Sequence, residues 1–236
     1  MEKLVGKYGH IEPKKERRLS MIGFRSFGRN GKLKVLCLGA HPDDIEIGCG
    51  GTILRIIDEM PETQFYWVVF SGNEKRVNEA HESAKVFLEN AKLEKFVVYQ
   101  FRESYFPFIG AGIKDCFEKL KTEFSPDIVF THYRGDAHQD HCLISNLTWN
   151  TFRDHFILEY EIPKFDGDLV TPNLYVYLNE SQVRKKIDYI FEYFATQREK
   201  SWFTKETFRS ILRIRGIESN SPTNYSEAFH CRKIIF

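Results

Sequence analysis

The run Val35–Leu38, followed by Gly39-Ala40-His41-Pro42-Asp43-Asp44, constrains the fold of this chain more than any other stretch. A continuous apolar run of this length is typical of a strand that is buried on both faces of a parallel sheet. Gly39 and Pro42 end the strand, and Pro42 keeps His41 out of helical geometry. The sequence therefore predicts that one imidazole and two carboxylates lie at the carboxyl end of a central strand, where open α/β sheets bind ligands.

Strand-like and helix-like segments alternate along the rest of the chain, which favours an α/β fold with a mostly parallel sheet and right-handed crossovers. The helix after the first strand is expected to end near residue 60, and its glycines at positions 48, 50 and 51 would let the backbone approach the site closely. Further strands are predicted over residues 65–70, 96–101, 127–131, 157–161 and 174–178. Further helices are predicted over residues 74–89, 113–124, 143–152 and 183–194, and the remainder of the chain is less regular.

The spacing of the first polar cluster has a chemical meaning if a metal ion is present. His41 and Asp44 are three positions apart and could both reach one divalent cation, which leaves Asp43 free beside it. A catalytic metal site keeps an open position for water and needs a nearby base to take a proton from that water. The plainer alternative is that these residues only form a turn and cap the following helix. A distant third ligand would favour the metal site.

A second cluster of histidines and carboxylates follows the predicted strand 127–131. His138 and His141 lie three positions apart, with Asp140 between them. One of the two histidines could be the third ligand, and the other could face the substrate. Asp140 or Asp136 could accept the far ring N–H of a histidine, which is the usual arrangement around metal ligands. The two clusters together favour a metal site over a set of exposed loop histidines.

The segments Ala40-His41-Pro42-Asp43-Asp44 and His138-Gln139-Asp140-His141 resemble the two signature motifs of the PIG-L/LmbE-like N-deacetylases. The family pattern continues with an acidic residue two positions after the second aspartate, here Glu46, and with Gly50-Gly51-Thr52. The resemblance extends from about residue 34 to residue 229. Its weaker parts are Arg76-Val77-Asn78-Glu79-Ala80, Arg213-Ile214-Arg215-Gly216 and Tyr225-Ser226-Glu227-Ala228-Phe229.

The resemblance implies a Rossmann-like three-layer sandwich and a metal-dependent enzyme, usually with zinc, that removes the acetyl group from an N-acetylglucosaminyl unit. The implied metal ligands are His41, Asp44 and His141. Asp43 is then the base, and His138 stabilises the oxyanion in its protonated form. Asp140 orients a histidine, while the proton for the departing amine could come from Asp43 or His138. Zn²⁺ is the predicted ion, and Fe²⁺ stays open because two histidines and one carboxylate also suit ferrous iron.

The substrate side of the resemblance rests on fewer residues. By likeness to the family, Arg76 would bind a hydroxyl or phosphate of the substrate. Many family members have a sugar-contacting aspartate after the third strand, and the nearest acid here is Glu103. The loop before Arg76 is shorter than in many members. The aromatic segment Tyr105-Phe106-Pro107-Phe108 could stack on a sugar or lie in the core. We expect a small amino-sugar conjugate as the substrate.

Two other classes of protein compete with this interpretation. A dinucleotide-dependent oxidoreductase would need GxGxxG after the first strand and an acid at the end of the second, but the glycines are wrongly spaced and the second strand ends in Val69-Phe70-Ser71. A non-catalytic metal- or sugar-binding module would not need a free carboxylate at Asp43. This module, and an amidase acting on a related conjugate, stay open as alternatives.

Composition sets the remaining expectations. The chain of 236 residues is long enough for one α/β domain, which we predict over residues 34–236. Residues 1–34 carry ten Lys and Arg against three Asp and Glu, which predicts a basic N-terminal extension over residues 1–33. A net charge of +1 gives no indication of nucleic-acid binding.

The chain also shows no apolar stretch of the ~20 residues that span a bilayer and no signal-peptide pattern. Its five widely spaced cysteines do not indicate a disulfide framework or a CxxC metal site. We therefore expect a cytoplasmic protein without stable membrane insertion. Homo-oligomerisation stays open.

Overall fold

The computed structural model describes residues 33–234, so the predicted basic extension lies outside the described residues except for Leu33. The strands in the described part are β1 (Lys34–Gly39), β2 (Gln64–Ser71), β3 (Lys92–Phe101), β4 (Ile128–His132), β5 (Phe156–Tyr160), β6 (Leu174–Tyr177) and β7 (Ser226–His230). The α-helices there are α1 (Asp44–Glu59), α2 (Glu74–Phe87), α3 (Gly110–Glu123), α4 (Gln139–Thr151), α5 (Glu180–Tyr193) and α6 (Lys205–Glu218).

The strands form one sheet in the order β3-β2-β1-β4-β5-β7-β6. The first five strands of this order pair in parallel, and β7 pairs antiparallel with both β5 and β6. The prediction of an α/β fold with a mostly parallel central sheet is therefore confirmed. None of the helices in residues 33–234 combines the length and apolar character that crossing a bilayer requires.

Side chains of β1 alternate between two hydrophobic clusters, one on each face of the sheet. Val35 and Cys37 belong to the cluster that α1, α2, α5 and α6 cover. Leu36 and Leu38 belong to the cluster that α3 and α4 cover. This strand is buried on both faces, as its apolar run predicts. The helices and the sheet thus form three layers.

The structure departs from the predicted elements in three places. The helix α6 and the strand β7 were not predicted, because β7 is short and carries the charged Glu227 in place of an apolar run. The predicted start of β3 was too late, because its first residues include charged side chains that do not match a strand pattern. An edge strand such as β3 tolerates such side chains. The helix α4 begins at Gln139 rather than near residue 143, which places Asp140 and His141 in its first turn.

The glycines of α1 serve packing rather than access to the site. A Cβ atom on Gly48 would lie 2.2 Å from Cδ2 of Tyr160, and one on Gly51 would lie 2.4 Å from Cδ1 of Leu178. Our expectation that these glycines bring the backbone close to a ligand is therefore wrong. They let α1 pack against Tyr160 and Leu178 where a Cβ would clash, and the amino-terminal end of α1 carries Asp44.

We expect Gly48→Ala to lower the free energy of unfolding by about 1–3 kcal/mol, because the added methyl group would have to displace the fully buried ring of Tyr160. Urea denaturation measures the change. Gly112→Ala in α3 is the matched control, because the added Cβ would lie 3.4 Å from Cε1 of Phe101, an ordinary van der Waals distance. Equal stability of the two variants would contradict this account of α1 packing.

Candidate active site

The turn between β1 and α1 holds a strained residue in place. Asp43 has φ of 100° and ψ of −24°, a conformation that costs about 1–3 kcal/mol for a residue with a side chain. Two hydrogen bonds fix the turn: Asp44 Oδ2 accepts the backbone N–H of His41 at 2.6 Å, and Arg76 Nη2 donates to the carbonyl of Pro42 at 2.5 Å. The Asp43 side chain makes no N-cap hydrogen bond. The interpretation of this carboxylate as a helix cap is therefore not supported.

The two sequence clusters meet because β1 and β4 are neighbours in the sheet. The chain crosses from β1 to β2 on one side, while β4 pairs with β1 on the other, so a crevice opens at the carboxyl ends of these strands. His138 is the N-cap residue of α4, and Asp140 and His141 follow in its first turn. This helix start lies beside the turn after β1.

The three predicted ligands present their donor atoms to one another. His41 Nδ1 lies 3.2 Å from His141 Nε2 and 3.5 Å from Asp44 Oδ2, and His141 Nε2 lies 3.6 Å from Asp44 Oδ1. Two ligands at the usual Zn–N or Zn–O bond length around a tetrahedral ion are about 3.4 Å apart. The residues present therefore fit one small divalent cation, although their role as ligands stays a prediction.

Carboxylates orient both of these histidines. His41 Nε2 lies 3.1 Å from Asp140 Oδ2, and His141 Nδ1 lies 3.0 Å from Asp136 Oδ2. The sequence left open whether Asp140 or Asp136 would take this role, and the structure uses one carboxylate for each ring. Such contacts fix the tautomer and the orientation of a ligating histidine.

Burial and charge act in opposite directions on the ligand cluster. Burial opposes a charged ring at His41, but the carboxylates of Asp44 and Asp140 outweigh it and raise its pKa to about 10. Burial likewise opposes ionisation of Asp44, yet nearby histidines, His141 first, hold its pKa well below the usual range. The cluster therefore keeps a proton that binding of a divalent cation would release.

Asp43 differs from its neighbour in both position and acidity. Burial raises the pKa of Asp43 to about 7, against the opposing effect of Arg76, whose Nη2 lies 2.9 Å from Asp43 Oδ1. The carboxyl lines a cavity instead of joining the ligand triangle. A carboxyl with a pKa near neutrality is suited to exchange protons with water at neutral pH.

The surroundings of His138 favour the neutral ring. Burial and the charge of His41 lower its pKa, and its Nδ1 accepts the backbone N–H of Asp140 at 3.2 Å. The protonated His138 that we expected from the sequence stays a prediction. The ring proton is left on Nε2, where a neutral imidazole can still donate one hydrogen bond.

A cavity of about 260 Å³ opens beside the ligand triangle. Arg76 and Glu103 both line it, and their side chains face each other with Nη1 to Oε2 at 3.4 Å. The aromatic segment Tyr105-Phe106-Pro107-Phe108 does not line the cavity. Phe106 is fully buried in the core, while Tyr105 and Phe108 are exposed elsewhere on the surface. The other lining residues are His41, Asp43, Asp44, Ile47, His138, His141, Ile162, Lys164, Phe165, Asp166, Lys200 and Trp202.

Comparison with known proteins identifies the family of this chain. Residues 36–152, about half of the chain, match the family described as PIG-L, GlcNAc-PI de-N-acetylase. The chain belongs to the PIG-L family. The matched residues contain both clusters that form the ligand triangle. A relative from Escherichia coli (strain K12), the uncharacterized deacetylase YaiS, is 26% identical over 142 residues, which cover 57% of this chain and 76% of the relative.

Solved structures share the fold of this PIG-L protein. The conserved protein TT1542 from Thermus thermophilus superimposes with a TM-score of 0.68 at 19% identity, covering 86% of this chain and 96% of that one. The N,N'-diacetylchitobiose deacetylase from Pyrococcus horikoshii gives a TM-score of 0.64 at 23% identity, covering 84% of this chain and 83% of that one. At these identities the likeness establishes a common fold.

Sequence reasoning gave no role to His132 in this PIG-L protein, yet its fully buried ring is part of the site. The ring stacks on His141 with centroids 3.9 Å apart. Its Nε2 accepts the backbone N–H of Ala40 at 2.9 Å and lies 3.2 Å from Asp44 Oδ2. The donor atoms of Asp44, His132 and His141 lie close enough together to hold a metal ion, and so do those of His41, His138 and His141. The sequence feature that could have identified His132 is its place as the last residue of β4, at the edge of the sheet where the site lies.

We expect His41→Ala and His141→Ala to lose the bound ion, because each removes one corner of the ligand triangle. Elemental analysis of the wild-type protein should find about one divalent ion per chain. His81→Ala is the matched control, because its side chain is 60% exposed on α2. Full occupancy in both triangle variants would rule out this ligand set.

Asp136→Asn should weaken metal affinity by about 10–100-fold, because it removes the charge that orients His141. Competition with a chelating dye measures the affinity. Asp154→Asn makes the same chemical change on a side chain that is 91% exposed and should leave the affinity unchanged. If Asp136→Asn also binds metal normally, this carboxylate does not tune the site.

Proposed function

We propose that this protein is a metal-dependent N-deacetylase that hydrolyses the acetamido group of an amino-sugar conjugate and releases acetate. One observation carries the proposal. Asp43, a carboxyl with a pKa of about 7, lies at the cavity wall beside the triangle of His41, Asp44 and His141 without belonging to it. A binding module has no use for such a group, whereas hydrolysis needs a base beside the ion.

Two nitrogen donors and one carboxylate are a common ligand set for catalytic zinc, and they also suit ferrous iron. We propose Zn²⁺, with Fe²⁺ as the alternative. When bound, the ion supplies Lewis acidity, which lowers the pKa of water and stabilises negative charge on an acyl oxygen. Asp140 and Asp136 keep His41 and His141 turned toward the position of the ion.

The protein's own groups account for the proton transfers. Asp43 takes a proton from water as the water attacks the acetyl carbonyl. Arg76 holds the carboxylate of Asp43 in one position through the 2.9 Å contact. The Nε2–H of His138 is available to donate a hydrogen bond to the oxyanion that forms.

The amine leaves only after it receives a proton, and the sequence left Asp43 and His138 as alternative donors. The backbone N–H of Asp140 engages Nδ1 of His138, and burial lowers the pKa of this ring, which favours Asp43 over His138 as the donor. Asp43 acquires a proton in the first step and can return it to the amine. We therefore assign both transfers to Asp43.

The substrate assignment draws on the family and on the cavity. The family description names a GlcNAc-PI de-N-acetylase, and one protein of the same fold is described as an N,N'-diacetylchitobiose deacetylase. The cavity of about 260 Å³ carries polar side chains such as Glu103 that suit sugar hydroxyls. We propose a small amino-sugar conjugate as the substrate. Arg76 then has two roles, because it positions Asp43 and also lines the cavity that receives the substrate.

The cytoplasmic location stays a prediction.

Asp43→Asn should keep the ion but lower kcat by about 10²–10⁴-fold, because an amide cannot take the proton of water. Acetate release from a panel of N-acetylated sugars measures turnover, and elemental analysis measures the ion in the same samples. Asp154→Asn is the control for the chemical change. Near-normal turnover in Asp43→Asn would mean that another group activates the water.

Two results with the wild-type protein would favour the alternatives. Sugar binding without acetate release by the metal-loaded protein would favour a non-catalytic module. Acetate release from other amides, but from none of the sugars, would favour an amidase of the same fold.

A further inference from the structure

Part of the cavity wall has no role in the proposed reaction. It comes from two connections, one between β5 and β6 and one between α5 and α6. The first contributes Ile162, Lys164, Phe165 and Asp166, and the second contributes Lys200 and Trp202. These residues belong to neither family motif. They could therefore contact a part of the substrate other than the acetamido group.

The cavity lining carries the carboxylates of Asp43, Asp44, Glu103 and Asp166, yet one cation on this wall is not paired with any of them. Three Lys or Arg side chains line the cavity, and two of them are paired: Arg76 with Asp43 at 2.9 Å, and Lys164 with Asp168 at 2.5 Å. Lys200 has no carboxylate within 4.0 Å among residues 33–234. Its side chain nevertheless lines the same cavity as Asp43 and His138.

Trp202 provides a fixed aromatic surface next to this cation. Its indole packs edge-on against Phe203, with ring centroids 5.6 Å apart, and against Phe208 at 6.5 Å. Lys200 Nζ lies 5.6 Å from the centroid of the same indole. Phe203 and Phe208 are fully buried, so Trp202 is anchored on one side while it lines the cavity on the other. A rigid, amphipathic ring of this kind suits the apolar face of a sugar.

We propose that Lys200 and Trp202 form a subsite for an anionic oxygen group, phosphate or carboxylate, that the amino-sugar substrate carries, with the sugar ring lying against the indole. The proposal rests on the proposed deacetylase function and adds a substrate class to it. It assigns the anion to Lys200 because Arg76 is already occupied by Asp43 and Glu103. A hydrogen bond to a charged group contributes enough to change affinity by about tenfold or more.

The test compares three substrates: methyl N-acetylglucosaminide, which is neutral, N-acetylglucosamine 1-phosphate and N-acetylglucosaminuronic acid. Acetate release gives kcat/KM for each with wild-type protein, Lys200→Glu and Lys185→Glu. Lys185 is the matched control, because it is an exposed lysine on α5 that does not line the cavity. We expect wild type to prefer at least one anionic substrate over the neutral one by about tenfold, through KM.

Lys200→Glu should abolish or reverse this preference, and Lys185→Glu should keep it. The anionic substrate that shows the preference identifies the group as phosphate or carboxylate. A wild-type protein without any preference would overturn the proposal, and so would an equal preference in wild type and Lys200→Glu.

Binding separates a failure of the subsite from a failure of the deacetylase function. If no substrate yields acetate, the proposed function fails, and titration calorimetry with N-acetylglucosamine 1-phosphate then decides the subsite. Binding by wild type that Lys200→Glu weakens about tenfold or more would support the subsite. Binding that is absent, or equal in the two proteins, would overturn it. Elemental analysis of both samples checks that they carry the same amount of metal.

Discussion

The carboxylate of Asp44 joins the two halves of the site. Its Oδ2 accepts the backbone N–H of His41 and lies 3.2 Å from His132 Nε2, and its Oδ1 faces His141 Nε2 at 3.6 Å. A buried carboxylate is costly unless such partners compensate it. The turn after β1, the end of β4 and the first turn of α4 are thereby held around one group, and the geometry of the ligand triangle depends on it.

The position of Asp44 depends in turn on the close packing of α1. Glycines bring this helix against the sheet, and Glu227 from β7 accepts the backbone N–H groups of Gly51 at 2.7 Å and Thr52 at 2.6 Å. Glu227 also pairs with the buried Lys186 of α5 at 2.5 Å. Removal of either partner of a buried ion pair leaves an uncompensated charge. The C-terminal strand thus helps to hold the helix whose first residue is Asp44.

Two residues have partners in the structure that the motifs did not indicate. Arg76 was predicted to bind substrate, which stays a prediction, and its guanidinium contacts Asp43 and the carbonyl of Pro42. His138 was expected to be a protonated acid, which also stays a prediction, and the backbone N–H of Asp140 occupies its Nδ1. Arg76 meets its partners across the fold, whereas His138 meets its partner in the first turn of α4, and residue type and spacing leave both contacts open.

The sequence by itself determined the parallel α/β sheet and the place of the site at its carboxyl edge, because the apolar run of β1 and the residues that end it are local features. The candidate ligand atoms of His41, Asp44 and His141 were also identifiable from two short motifs. Tertiary structure alone decided that β7 enters the sheet between β5 and β6, and that Trp202 rather than Phe106 lines the cavity. The pairing of Glu159 with His230, for example, joins β5 to β7 across a long stretch of chain, and no local pattern specifies contacts at that separation.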